Sequence, residues 1–223
     1  KVTVESGATL MQIANTLFDK KIITNKQTFK LAARLMGKER KIPIGTFNLV
    51  NAKSNYDIIN QIIYGAPEIK KVRILEGWNI NQIADHISKE MNLDSKKIIE
   101  LCNDSTFVKS NGVSGSSLEG YLFPDTYFFY VGDKPESILK HLIKMNESFW
   151  TRNHLIQSQK MNLSKHQIMT LASIIEGEAI YDSERAKISA VYHNRLNIGM
   201  RLQADPTIQY IIPDSPRRLL NKD

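Results

Sequence analysis

The sequence predicts an α+β fold: two copies of a β-α-α-β-α unit, then a mostly helical region. Three observations predict it. The stretch Val2-Thr-Val4-Glu5-Ser-Gly7 resembles Val72-Arg-Ile74-Leu75-Glu76-Gly77, a strand running into a glycine turn in both places. The apolar residues that follow repeat at an offset of 70, as Ile13-Ala14 with Ile83-Ala84, Leu17 with Ile87, Phe29 with Ile99 and Leu31 with Leu101. At an offset of 80, Gly45-Thr46-Phe47 recurs as Asp125-Thr126-Tyr127, and Ile58-Ile59 and Ile62-Ile63 recur as Ile138-Leu139 and Leu142-Ile143.

The elements follow in chain order. Lys1 to Val4 and Lys71 to Leu75 read as strands. Thr9 to Phe18 and Asn79 to Ser88 carry apolar residues at helical spacing, with Thr9 and Asn79 as N-caps. The second copy is longer through the polar loop Asn111-Gly-Val-Ser-Gly-Ser-Ser117. Gly65-Ala66-Pro67 separates the copies, which divides the chain into residues 1–66 and 67–223. After residue 134 the pattern is helical, from Pro135 toward Trp150. Ser164 and Gln167 form a capping box, flanked by the Leu163–Ile168 staple, for a helix that reaches Glu176-Gly177 with Ile168, Leu171, Ala172 and Ile175 inward. The next helix starts near Ser183, faces Ile188, Val191, Tyr192 and Leu196 inward, and ends at Gly199. Asp205-Pro206 reads as the N-cap and first position of a short helix through Tyr210.

Composition narrows the function. The 223 residues are 42% hydrophobic and 24% charged, which excludes long disorder and collagen-like repeats. No apolar run reaches the ~20 residues of a membrane span. The net charge of +7 suits an anionic partner, but the basic residues are scattered in pairs such as Lys70-Lys71, Lys96-Lys97 and Arg217-Arg218, with no nucleic-acid stripe. Cys102, the single cysteine, sits in an apolar pattern as a buried residue. The histidines form no metal-binding motif, and there is no phosphate-binding glycine loop, so neither a metal nor a cofactor is expected.

Three constellations can carry chemistry. Glu176 ends an apolar helix face, where desolvation and the negative end of the helix dipole both disfavour a second negative charge. Gly177 leaves room beside it for a ligand. A carboxyl kept protonated in this way is the requirement of a general acid; the alternative is a helix-end glutamate pointing into solvent. Glu178 turns away from Glu176 and reads as solvated. The second constellation, Leu118 to Tyr127, holds Glu119, Tyr121, Asp125 and Tyr127, either as a sugar-stacking platform or as a turn into a core strand. In the third, Asn194 and Gln203 suit hydroxyl and acetamido groups, while Asp205 serves the site or a helix cap.

The stretches Leu171-Ala-Ser-Ile-Ile-Glu176-Gly-Glu178-Ala179, Val191-Tyr-His-Asn194-Arg195-Leu196, Gly199-Met-Arg-Leu-Gln203-Ala-Asp205-Pro206-Thr207 and Glu119-Gly-Tyr-Leu-Phe-Pro-Asp-Thr-Tyr127, in that family's order, resemble the endolytic murein transglycosylase (YceG-like) family across essentially the whole chain. Gly177 stands where that family often has lysine, and Ala204 where serine is common. The resemblance implies LysM-like β-α-α-β modules before a helical catalytic region, in a bacterial protein with one upstream membrane anchor and this part on the outer, periplasmic face. It implies cleavage of the β-1,4 bond between N-acetylmuramic acid and N-acetylglucosamine inside peptidoglycan strands, leaving 1,6-anhydro ends. It implies peptidoglycan synthases (penicillin-binding proteins) as partners, no nucleic acid, and a pattern that continues past residue 223. The catalytic glutamate maps onto Glu176, with Glu119, Tyr121, Tyr127, Asn194, Gln203 and Asp205 expected to hold substrate. Two other readings stay open. A hydrolytic muramidase needs a second carboxylate (Glu119, Asp125 or Asp205) facing Glu176 at about 5 to 9.5 Å. A non-catalytic wall-binding module needs only the repeats and the positive charge.

Overall fold

The structure is a computed structural model that describes residues 1–5, 7–212 and 219. The Arg217-Arg218 pair lies outside the described residues. By internal contacts the chain divides into two units, Lys1–Ile74 with Ile80–Met145, and Leu75–Asn79 with Asn146–Asp223. The first unit therefore holds the whole of copy one, and copy two apart from residues 75–79 and 146–149.

Copy one runs β1 (Val2–Val4), α1 (Leu10–Asp19), α2 (Lys26–Leu35), β2 (Gly45–Phe47) and α3 (Asn55–Tyr64). Copy two runs β3 (Ile69–Ile74), α4 (Ile80–Met91), α5 (Ser95–Asn103), α6 (Ser105–Ser110), β4 (Asp125–Tyr130) and α7 (Pro135–Phe149). The architecture is helix-dominated α+β with two small antiparallel sheets, β1-β2 and β3-β4. The offsets of 70 and 80 reappear as ladder register: Val2 pairs with Phe47 as Val72 pairs with Tyr127, and Val4 with Gly45 as Ile74 with Asp125. A two-residue side-chain period makes such a match specific, since a slip of one would turn the core residues outward.

In the second helix of each copy the offset is 69, not 70. Asn25 and Asp94 are the N-caps of α2 and α5. Phe29 and Ile98 are the buried counterparts, and so are Ala33 and Cys102. Leu31, read as a core position, is 57% exposed. The offset slips because the first residues of α1 and α2 lie 16 positions apart and those of α4 and α5 lie 15 apart, and a one-residue shift rotates a helix by about 100°.

The extra residues of copy two form α6 and a loop over 111–117; the sequence reading has the loop but not the helix. The copies are joined across the break at residues 65–67: the Glu68 N–H donates to Thr46 O at 2.7 Å and the Val131 N–H to Glu68 O at 2.9 Å. Gly132 (φ +109°) sits where a Cβ would meet Thr3 Cγ2 at 2.8 Å, so a side chain there would push the copies apart.

Cys102 is fully buried, and burial pushes its thiol up to about 12. The thiolate is the reactive form, so native protein at pH 8 is expected to give no signal with a disulfide thiol reagent, against a full equivalent once unfolded. A fast native reaction would contradict this packing.

The second unit contains α8 (Arg152–Lys160), α9 (Lys165–Glu178), α10 (Asp182–Asn197) and α11 (Asp205–Ile211). The predicted capping box starts α9: Gln167 N–H donates to Ser164 Oγ at 3.2 Å and Ser164 N–H to Gln167 Oε1 at 2.8 Å. The sequence reading has no α8, whose apolar residues Leu155 and Ile156 are adjacent rather than three or four apart. Leu171, Ile174, Tyr192 and Ala204 form this unit's core, with Ile175, Ile188 and Leu202 against it. Ala172, Val191 and Leu196, read as inward-facing, are exposed. No described helix is long and apolar enough to cross a membrane.

Candidate functional site

The row of α9 that packs inward is Leu171–Ile174, not the Leu171–Ala172–Ile175 row that the sequence suggests. At about 100° per residue, Glu178 falls within about 20° of Leu171, and Glu176 about 140° from it. Glu178, rather than Glu176, thus lies on the row that packs inward. Glu178 faces α10, where the Tyr192 hydroxyl donates to its Oε1 at 3.0 Å, so it is not a solvated residue. Burial and the neighbouring Glu178 carboxylate push the Tyr192 hydroxyl up to about 12, so it stays a donor.

Glu176 lies on the flank of α9, 34% exposed, with an arginine on its carboxylate. Arg185 Nη2 donates to Oε1 at 2.9 Å and lies 2.8 Å from Oε2. Arg185 Nη1 is held by Asp182 Oδ1, one turn earlier on α10. The hydrogen bond that Arg185 donates to Glu176 raises the Arg185 pKa, ahead of the opposing cost of its desolvation. The isolated, desolvated carboxyl expected from the sequence is therefore replaced by an ion-paired one. Arg185 is the site residue that sequence reasoning missed. Its signal was a cation in the opening turn of a helix, which the dipole disfavours unless carboxylates hold it there.

Gly177 also has a different duty from the one expected. A Cβ there would come within 2.8 Å of Pro206 Cβ, so the bare helix surface seats α11 rather than a ligand. Asp205 is the first residue of α11 and Ala204 its N-cap; Asp205 is exposed. Gln203, also exposed, is held at φ +51° between Leu202 and the buried Ala204. A non-glycine residue in that region costs of order 1 kcal/mol and is found preferentially at functional sites. The turn is pinned by Arg195, whose Nη1 donates to Leu202 O, and by the Met200 N–H, which donates to Arg195 O at 2.8 Å. Asn194 is exposed on α10.

Glu176, Asn194, Gln203 and Asp205 thus belong to one unit, and Glu119, Tyr121 and Tyr127 to the other. Tyr127 corrects an expectation. It is a core residue, 3% exposed, its hydroxyl donating to Phe123 O at 2.8 Å, as the alternating pattern of β4 requires. Glu119 is half-buried and its Oε2 accepts from the Ile80 N–H at 3.1 Å, which satisfies an orphan donor at the start of α4. Tyr121 is half-buried, and Asp125 is exposed at the start of β4. Among the described residues, no group of three or more His, Cys, Asp or Glu is arranged to hold a metal ion.

The comparisons with known proteins agree with one another. The YceG-like family model matches residues 2–223. A Bacillus subtilis protein named endolytic murein transglycosylase is 31% identical over 238 residues, covering 100% of this chain and 66% of that protein. A Streptococcus pneumoniae protein of the same name is 25% identical over 236 residues, covering 94% of this chain and 42% of its own length. This chain therefore spans less than two thirds of the length of either relative. The crystal structure of a YceG-like protein from Listeria monocytogenes superposes with a TM-score of 0.63 at 28% identity, over 99% of this chain and 78% of that one. On the match along its length and the identity to the Bacillus protein, this chain belongs to the YceG-like family.

Proposed function

We propose that the protein is an endolytic peptidoglycan lytic transglycosylase, with Glu176 as its acid and base. The observation that carries the reading is a half-buried glutamate held on the flank of α9 by Arg185, in the unit that also presents Asn194, Gln203 and Asp205. The names of the Bacillus and pneumococcal relatives support it.

The chemistry needs one carboxyl group. Glu176 gives its proton to the glycosidic oxygen, and the bond from that oxygen to muramyl C1 breaks, leaving an oxocarbenium-like centre and a free 4-hydroxyl on the departing N-acetylglucosamine. The muramyl C6 hydroxyl then closes on C1 and returns its proton to Glu176. No water is consumed and Glu176 ends as it began. A hydrolase would instead need a second carboxylate to activate water or to attack C1. Mass spectrometry of digested murein separates the two routes. Products one water lighter than reducing ends are expected; reducing ends alone would point to a muramidase, and no cleavage at all to a wall-binding module.

The two β-α-α-β copies are read as LysM-like modules that hold glycan, supported by their shared register and by the net charge of +7. The family reading places the protein on the outer face of the bacterial inner membrane behind a single anchor, terminating glycan strands beside penicillin-binding proteins.

A further inference from the structure

We propose that Arg185 is a positioning residue for Glu176, orienting its carboxylate and compensating the charge that forms when the proton leaves. The inference deepens the transglycosylase reading and rests on it.

Three features of the arrangement support this. One guanidinium nitrogen reaches both Glu176 oxygens, at 2.9 and 2.8 Å, so it fixes the plane of the carboxylate as well as its place. The opposite nitrogen is anchored by Asp182, which keeps the arginine from following solvent and takes up part of its charge. Arg185 Nε is buried without a partner. An unpaired buried donor costs about 1–3 kcal/mol, so this placement is not the one stability alone would choose. Partly exposed ion pairs are worth little to folding, typically about 0–1 kcal/mol. Arg185 is 43% exposed and Glu176 34%, so stability does not explain the constellation either.

The role follows from the sequence of charges. As the Glu176 proton passes to the glycosidic oxygen, the side chain becomes a carboxylate facing a positive sugar ring. A cation already in place on the carboxylate stabilises that charge without reorganising at the moment of reaction. The same contact keeps the oxygens aimed for the return of the C6 proton. Asp182 limits the effect, since an unshared arginine would hold the carboxylate too firmly to take that proton back.

The test uses the full-length protein on intact murein, comparing wild type with Arg185→Lys, Arg185→Gln and Arg185→Ala. Alanine is expected to lower kcat by about 100-fold, the scale of removing one preorganised charge-stabilising donor, with KM little changed. Lysine keeps the charge without the two-oxygen contact, and should retain more activity than glutamine. The melting temperature should move by only a few degrees in all three, consistent with a pair of low stability value. Asp182→Asn, which frees the arginine of its competitor, should lower kcat less than alanine at 185 does. Arg185→Ala turning over like wild type would overturn the inference, and so would glutamine matching or exceeding lysine, or a kcat loss that tracks melting temperature. Those outcomes leave the transglycosylase reading intact, because that reading fails only if wild type releases no anhydro products.

Discussion

Glu176→Gln is expected to abolish glycan cleavage while leaving the fold in place. Glutamine matches the shape of glutamate and can still accept a hydrogen bond from Arg185, but it can neither donate the proton nor take it back. General acid–base catalysis contributes about 10²–10⁴-fold per step, and here one group serves both steps, so a loss of about 10³-fold or more is expected. Glu176 is 34% exposed and its pair with Arg185 is of the weak, solvent-screened kind, so stability should change by no more than about 1 kcal/mol. The measurement is release of anhydro-muramyl ends from purified murein, with circular dichroism to check the fold. A glutamine variant that still cuts would move the chemistry elsewhere. Glu178 is the next candidate by position, but its carboxylate is tied to Tyr192 at 3.0 Å.

The second large effect lies in the core of copy one. Phe29 is fully buried among Leu17, Phe47 and Ile62, so Phe29→Ala should cost about 3–5 kcal/mol, the range for truncating a large aromatic residue in a packed interior. Leu31→Ala, two positions on, should stay within about 0.5 kcal/mol because Leu31 is 57% exposed. Urea midpoints of the two variants test the register of α2. Equal losses would restore the uninterrupted 70-residue offset and put Leu31 back in the core.

The repeat was legible because each copy must bury the same set of apolar side chains. Val2, Leu17 and Ile62 have matching residues in Val72, Ile87 and Leu142, all buried. The helix starts at Thr9 and Ser164 were legible because side-chain caps act within three residues. The slip in the second helix was not, since neighbouring apolar residues such as Ile98 and Ile99 leave its rotation open until the α1–α2 connection fixes it. Helix α8 was invisible because its weak periodicity gives no stripe to detect.

At the site, the sequence singled out Glu176 through its motif but gave the wrong reason for it. Whether Glu176 or Glu178 lies inward depends on which row of α9 meets α10, and several rows of Leu171-Ala-Ser-Ile-Ile175 are apolar enough. Nor does chain distance tell that Arg185, nine residues on and across a helix boundary, would reach the carboxylate. Tyr127 was open between a sugar platform and the core until pairing with Val72 turned it inward.

By itself, then, the sequence determined most of the elements, their repetition and the family, because local caps and side-chain periodicity are written in neighbouring residues. Only the tertiary structure decided which carboxylate is held by which partner, because burial and ion pairing arise between segments whose approach is set by packing and not by spacing along the chain.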